Sequence, residues 1–466
     1  MRVLHVIHDF LPRHRAGSEI YAFELARAQQ RLGHETHVLC AEYDPTRPHG
    51  SLEWRWHHEL PVTELVNNWR FATFAETYRS PELGEVLGHV LDAVQPDVLH
   101  VHNLLNLSFE LPELAARRGI PSVATLHEYV LLCPSGGQRV HLAEEHVCTE
   151  IDVERCARCF RQTPFFAQMT FARLGGGAGR LALTARLAAA VRRRAPRVFS
   201  LLGQAASRRL APAQVTAADI VERQAAVDRV YRSIRLFVAP SPALGAEFLR
   251  CGLPEDRLEV SDYGFVPFAP PPRRPRDGRL RIGFVGTLVW HKGAHVLLAA
   301  LNRLPADRVD LTVHGSLDTC PDYSTRLREQ ARGLPVRFTG GFDRDRVAEV
   351  YADLDVLAIC SLWPENSPLV IHEAFMAGVA VVGARMGGIA DLVTDGVNGL
   401  LYDAFSVDDL ADRLRRLLDE PGLLEHLGAS RTPVKTIDRD AAEWEQRYRR
   451  VRKELESEGG GPRTPR

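Results

Sequence analysis

Short apolar runs and helix-period runs alternate almost from the first residue, and this alternation limits the fold more than any other feature. RVLHVI (Arg2–Ile7) leads through a loop carrying RAGSE (Arg15–Glu19) into a helical run closed by Gly33, and then into ETHVLC, residues 35–40. A 3.6-residue period between two strand-like runs is the signature of a β-α-β unit. The pattern recurs in DVLHVH (Asp97–His102), PSVATLH (Pro121–His127), IRLFVAPS (Ile234–Ser241) and RLEVSDYG (Arg257–Gly264), with helical runs between. Strands joined through helices pair in parallel, so the expected class is α/β with a doubly wound sheet.

The alternation breaks at PFAPPPRRPRDGR (Pro267–Arg279), whose prolines and arginines read as an extended linker. It then restarts at LRIGFVG and continues through GLLYD (Gly399–Asp403). Two Rossmann-like domains are therefore expected, at 1–266 and 280–432, facing across a cleft at the carboxyl ends of both sheets, where ligands of such sheets bind. A chain of 466 residues has the length for two domains. The amphipathic run at 436–456 is expected to form a helix packing back on the first domain, and 457–466 a disordered tail.

Within the second half, PENSPLVIHEAFMAG (Pro364–Gly378) starts a helix: Ser367 suits the N-cap and Pro368 the first helical position. The unpaired amides of Leu369, Val370 and Ile371 would then form a positive helix tip of the kind that holds phosphate. Glu365 and Glu373 flank that tip. Carboxylates repel phosphate but accept hydrogen bonds from hydroxyls, so the pattern describes a ligand with hydroxyls on both sides of a phosphate. Upstream, GFVGTLVWHKG places Lys292 at a strand–helix junction, where an ammonium can reach a diphosphate as a point charge. Of 58 basic residues only Lys292, Lys435 and Lys453 are lysine, which makes this choice informative.

GTLVWHKG together with PENSPLVIHEAFMAGVAVVGARMGGIADLV resembles the donor site of retaining glycosyltransferases of the GT-B fold, the large family 4-like group containing sucrose synthases and bacterial mannosyltransferases. Two glutamates separated by seven residues are that group's hallmark. The resemblance implies that Glu365 contacts the transferred sugar and Glu373 the ribose hydroxyls. It also implies that Ser367 and the amides of Leu369 and Val370 hold the diphosphate, with Lys292 neutralising it. Gly286 and Thr287 would border the phosphates, Thr287 standing where many members have arginine, and Phe342 would lie near the base. In the first domain RAGSE resembles the group's glycine-rich loop, with Gly17 allowing close backbone approach, and His127 matches the histidine beside the transferred sugar. His102 and Asn103, at a cleft-facing strand end, are candidates for the acceptor side. His372 and Met376 read as packing residues.

Retention implies front-face chemistry, in which the leaving phosphate takes the acceptor proton while the protein positions and stabilises. No protein base and no catalytic cofactor or metal is then required. The expected function is transfer of a hexose from a nucleotide-diphosphate sugar to a glycan or lipid-linked acceptor. The alternatives are a nucleotide-sugar epimerase of the same fold and a non-catalytic nucleotide-sugar-binding subunit.

Cys133, Cys148, Cys156 and Cys159 follow a C-x14-C-x7-C-x2-C spacing. In a reducing compartment this fits a structural zinc site, with unligated or redox-paired thiols as the other reading. Residues 161–210 carry ten arginines and no acid among apolar runs, within an insertion expected over 161–232. Contact with anionic lipid or a lipid-diphosphate acceptor is one reading, a solvated helical insertion the other. A net charge of −1 gives no pull toward nucleic acid, no apolar run is long enough to span a bilayer, and the N-terminus lacks a secretory h-region. A cytoplasmic protein, peripheral on the inner membrane face, is expected.

Overall fold

The computed structural model describes residues 1–71, 73–141, 144–163, 165, 166, 215–269, 272, 278–430 and 432–459. Strands β1 (Arg2–Ile7), β2 (Glu35–Glu42), β3 (Leu52–His57), β4 (Leu60–Val66), β5 (Val98–Val101), β6 (Ser122–Thr125), β9 (Leu236–Ala239) and β10 (Leu258–Val260) form one sheet. A small hairpin of β7 (Val140–His141) and β8 (His146–Val147) stands apart from it. The large sheet runs β10-β9-β6-β5-β1-β2-β4-β3 and is parallel except for the edge hairpin β3–β4. Helices α1 (Gly17–Arg31), α2 (Pro81–Val94), α3 (Leu111–Arg117), α4 (Val153–Arg161), α5 (Ala217–Ser233) and α6 (Pro242–Arg250) belong to this domain.

The second domain has one six-stranded parallel sheet, ordered β13-β12-β11-β14-β15-β16. Its strands are β11 (Leu280–Val285), β12 (Val309–His314), β13 (Val336–Gly340), β14 (Val356–Ile359), β15 (Ala380–Ala384) and β16 (Gly399–Tyr402). In both sheets the strand order reverses beside the first strand, next to β5 in one and β14 in the other. This opens a crevice at the carboxyl ends of the strands. Helices α7 (Ala294–Leu301), α8 (Pro321–Gln330), α9 (Val347–Ala352), α10 (Leu369–Met376), α11 (Gly387–Leu392), α12 (Val407–Asp419) and α13 (Leu423–Ala429) complete the domain. Each sheet has its own buried apolar cluster of Val, Ile and Leu, as two-sided coverage of a parallel sheet requires.

Helix α14 (Ile437–Gly459) follows the second domain in sequence but packs on α1 of the first. Trp444 and Tyr448 are fully buried there, and Trp444 Nε1 donates to Tyr21 Oη at 3.0 Å. Tyr21 donates in turn to Asp440 at 2.7 Å, and Asp440 also pairs with Lys435 at 2.7 Å. Burying two such aromatic side chains contributes several kcal/mol at ~25 cal/mol per Å². The helix runs to Gly459, three residues into the expected tail, and 460–466 lie outside the described residues.

Three elements escape the sequence pattern. Edge strand β3 alternates few apolar positions and leaves Trp54 and Trp56 exposed, so it shows no buried run. Helix α2 carries Gly84 and Gly88, which lower helix propensity, yet Ser80 caps it by accepting from the Leu83 amide. Helix α5 falls inside the expected Arg-rich insertion, but Ile220, Val227, Val230 and Tyr231 bury it in the first-domain core. The insertion therefore ends before Thr216, whose side chain starts a capping box with Asp219. The Arg-rich stretch 167–214 and most of the 267–279 linker lie outside the described residues.

Candidate active site

Helix α10 begins one residue later than its sequence suggests. Pro368 occupies the cap position without a side-chain cap, and Ser367 Oγ donates to Asp262 of the first domain at 2.7 Å. Ser367 is thus an interdomain tether rather than an N-cap. The Ile371 amide is also not free, since it donates to Pro368 O at 3.0 Å. The amides of Leu369 and Val370 remain without a partner among the described residues. They form the open part of the tip, which faces the first domain. A Cβ on Gly17, at the start of α1, would lie 3.0 Å from Leu369 Cδ1, so two helix starts meet across the cleft.

Lys292 reaches Glu365, with Nζ 2.6 Å from Oε1, and the same carboxylate accepts from Ser361. Lys292 Nζ also lies 5.4 Å from the centre of the Trp363 ring. Burial raises the cost of ionising Glu365, but the Lys292 charge and the two hydrogen bonds outweigh it and hold the carboxyl below its usual range. Gly293 is fixed by geometry: its φ is +71° and a Cβ there would overlap Cys360 O at 1.8 Å. The Glu365 loop is held by Gly388, whose amide donates to Glu365 O at 2.7 Å and whose missing Cβ would sit 1.7 Å from Asn366 O.

Glu373, on α10, is buried and engaged twice. Tyr351 Oη lies 2.9 Å from its Oε2, and Arg344, on the loop after β13, pairs with its Oε1. Burial and Glu373 together push the Tyr351 phenol well above its ordinary range. Gly286 donates to His314 O at 3.0 Å, and the His314 ring contacts half-buried Phe342 edge-on at 5.6 Å, so Gly286 and Phe342 share one corner of the site. Thr287 is exposed beside them.

The first domain supplies His127 directly opposite. Asn366 Nδ2 donates to the His127 carbonyl, and Tyr129 Oη donates to Pro364 O at 3.0 Å, joining the donor-side loop to the end of β6. His372, expected to be a packing residue, is buried against Phe265 at 4.4 Å. It also lies 2.6 Å from Asp262, and so ties the domains together.

The His127 ring belongs to a buried chain of hydrogen bonds. Tyr263 Oη lies 2.9 Å from its Nδ1, and His102 Nδ1 lies 2.9 Å from its Nε2. His102 Nε2 continues to His5 Nδ1 at 3.0 Å, and His5 Nε2 to Gln29 Oε1 at 2.9 Å. Gln29 Nε2 reaches Tyr448 Oη at 2.9 Å, Tyr448 reaches His100 Nδ1 at 2.7 Å, and His100 Nε2 reaches Thr125 at 2.8 Å. With the Gln29 carbonyl toward His5, every ring donates at Nε2 and accepts at Nδ1, which requires all four to be neutral. Burial drives the same result, pushing His5 down to about 4 and His127 to about 3, and His100 and His102 well below their usual value. His102 therefore orients His127 and offers no free ring nitrogen to an acceptor. Asn103 accepts from the Leu105 amide at 2.8 Å and borders a small pocket of about 30 Å³ together with His127.

Glu128 is a residue the sequence pattern did not single out. It follows His127, and its carboxyl is pushed up to about 7 by burial, with His8 and Lys292 pulling down and Glu19 and Asp9 pushing up. Only tertiary structure gathers those neighbours, so no local motif marks it.

The four clustered cysteines sit on one knot behind His127, on the loops beside β7 and β8 and on α4. Burial first, then neighbouring thiols, pushes Cys156 up to about 12 and Cys148 to about 11. Among the described residues, the groups of three metal-ligating atoms within 4.8 Å of one another are His5, His100, His102 and His8, Asp9, Glu19. No three of the four sulfurs therefore lie within 4.8 Å of one another, a spread wider than the ~3.8 Å spacing that tetrahedral Zn–S bonds of ~2.3 Å impose.

Residues 15–158 match the family described as Glycosyltransferase Family 4, and residues 268–431 that described as Glycosyl transferases group 1. The sulfoquinovosyl transferase SQD2 of Arabidopsis thaliana is 28% identical over 46% of this chain and 44% of its own length. A D-inositol 3-phosphate glycosyltransferase of Mycolicibacterium smegmatis is 34% identical over 33% of this chain and 36% of its own. The chain thus spans less than half the length of these relatives. Among solved structures, the Anabaena protein HepE in complex with UDP and glucose superposes with a TM-score of 0.58 at 16% identity, covering 98% of this chain and 99% of that one. Sucrose-phosphate synthase from Thermosynechococcus elongatus gives 0.60 at 15%, covering 98% and 97%. A family 4 domain followed by a group 1 domain, folded as two Rossmann-like sheets across a cleft, makes this chain a GT-B protein of the glycosyltransferase family 4-like group.

Proposed function

We propose that the chain is a retaining glycosyltransferase that moves a sugar from a nucleotide-diphosphate donor to a glycan or lipid-linked acceptor. The observation that carries this reading is the convergence of Lys292, Glu365 and the open amides of Leu369 and Val370 at a helix tip facing His127. Two amides and one ammonium balance a diphosphate without a metal. Glu365 then accepts from sugar hydroxyls, and Glu373, freed from Arg344, accepts from ribose hydroxyls. The ligands of HepE, UDP and glucose, and the glycosyltransferase names of the relatives agree with a donor of this class.

His127 acts here as a wall. Its ring is neutral and both nitrogens are committed, so it is a poor proton acceptor, in keeping with proton transfer to the leaving phosphate. Among the described residues no helix is long and apolar enough to cross a membrane, and contact with an inner membrane face would be peripheral. The cysteine knot is proposed as a structural zinc site that rotates its thiols inward on binding.

A thermal-shift panel of UDP-, GDP- and ADP-sugars tests the donor reading. A ligand at a hundred times its dissociation constant stabilises by ~2.7 kcal/mol. Product analysis with the stabilising donor then separates transfer from epimerisation, and absence of any shift would overturn the proposal.

A further inference from the structure

Glu128 stands between two residues that grip the donor-side loop. On one side the His127 carbonyl accepts from Asn366 Nδ2, and on the other Tyr129 Oη donates to Pro364 O at 3.0 Å. Asn366 and Pro364 are the two neighbours of Glu365, so Glu128 lies against the loop that carries the carboxylate proposed for the sugar. The Glu128 carboxyl is half-buried and makes no hydrogen bond or ion pair among the described residues. A carboxylate kept for stability is ordinarily paired or hydrogen-bonded. This one has its acceptor capacity unspent.

The charged and titratable groups around it come from both domains. His8 and Asp9 follow β1, Glu19 lies on α1, Tyr263 follows β10, and Lys292 belongs to the second domain. Burial, Glu19 and Asp9 push the carboxyl up while His8 and Lys292 pull it down, leaving it at about 7. Lys292 is also the cation that pairs with Glu365, so one ammonium acts on both carboxylates. The His127 ring has both nitrogens committed and cannot receive a hydroxyl. The open hydrogen-bond acceptor at this strand end is therefore Glu128 rather than the histidine.

We infer that Glu128 is a catalytic residue of the acceptor side: it accepts a hydrogen bond from the incoming acceptor and turns the reacting oxygen toward the sugar. This role rests on the transferase reading of the site. In transfer, the bond from the anomeric carbon to the diphosphate breaks, and a bond from that carbon to the acceptor oxygen forms. The proton of the reacting hydroxyl goes to the leaving phosphate, so Glu128 takes its hydrogen bond from a second O–H. A sugar or polyol offers one on a neighbouring hydroxyl, and water offers its other proton. The acceptor class is thus a molecule with a hydroxyl beside the one that reacts. Glu128 lowers the barrier by fixing the direction of approach, not by moving a proton.

Water is the probe acceptor. Its reaction is read as nucleoside diphosphate released by the full-length protein from the sugar nucleotide that gives the largest thermal shift. Wild-type kcat/KM is expected to rise about tenfold from pH 6 to 8, as Glu128 ionises and becomes the stronger hydrogen-bond acceptor. Glu128→Gln keeps the shape and a neutral acceptor, and is expected to lower hydrolysis about tenfold at pH 8 and to flatten the rise. Glu128→Leu removes the acceptor altogether and is expected to lower hydrolysis about a hundredfold. Both variants should keep the wild-type donor shift, and their melting temperatures without ligand show that they fold. A structural residue would change the melting temperature and leave the pH profile as it was. The inference is overturned if both variants release product at the wild-type rate, an unmeasurable rate in all three included. It is equally overturned if the pH rise persists in Glu128→Gln, which would assign it to His8, or if the donor shift disappears with Glu128. Wild-type protein with no shift from any donor sinks the transferase reading and this role with it, whereas a normal shift with unchanged hydrolysis sinks the role alone.

Discussion

Lys292 Nζ and Glu365 Oε1 lie 2.6 Å apart, so the cation proposed for the diphosphate and the carboxylate proposed for the sugar hold each other in place. The lysine side chain is 28% exposed and the glutamate 8%. Removing the lysine strands a buried carboxylate, whereas removing both charges strands nothing. Lys292→Met is therefore expected to destabilise by about 2–3 kcal/mol, below the ~3–5 of a fully buried pair because Lys292 is partly wet. Lys292→Met/Glu365→Gln should regain most of that in urea unfolding yet still give no donor shift. The Glu365 carboxyl is held below its unfolded value, so the pair's contribution is present above pH ~4.5 and fades as pH falls through the folded value.

Glu373→Ala separates binding from stability. Tyr351 Oη keeps Val370 O at 3.1 Å when the carboxylate is gone, and the Arg344 side chain, 43% exposed, returns to water. The melting temperature without ligand should fall only by the equivalent of about 1 kcal/mol. The donor shift should vanish. A Glu373→Ala protein that binds every donor as wild type does would remove the ribose role.

The neutral imidazole chain makes stability depend on mild acid. Unfolded histidines take up protons below pH ~6.5, while the folded rings resist until about 4 for His5 and about 3 for His127. The unfolded state binds more protons across that window, so stability falls as pH falls from ~6.5, by up to ~1.4 kcal/mol per pH unit for each ring. Urea titrations at pH 7, 6 and 5 should show a steep loss, and His100→Phe should flatten it by roughly a quarter. A pH-independent midpoint across this range would contradict the four neutral rings.

Zinc at the cysteine knot has a direct readout. Elemental analysis of protein purified without chelator should find about one zinc per chain, and EDTA should lower the melting temperature by several degrees, because structural metal binding contributes to folding. Cys156→Ser should lose both the metal and the EDTA response. Metal-free protein with the wild-type melting temperature would leave the thiols unligated.

Much of this site was legible in the chain itself. Glu365, Lys292, Leu369, Val370 and Glu373, the residues proposed to hold the donor, can be picked out of the chain because a helix start with open amides is a local device, written by a few neighbouring residues. The repeated β-α-β pattern declared the α/β class for the same reason, since periodicity belongs to single elements. Ser367 misled: its hydroxyl has two outlets, the helix amides and Asp262, and a residue 105 positions away won. His102 reads as a cleft residue from its strand-end position, but His5 and His127 claim both its nitrogens. The raised carboxyl of Glu128 has no sequence mark at all. Desolvation depends on what the rest of the fold places around a group, and those surroundings come from strands and helices scattered over the whole chain. The sequence by itself determined the elements, their alternation and the helix start proposed to hold phosphate; only the tertiary structure decided which polar atoms meet, which charges lose water, and which side chains face the cleft.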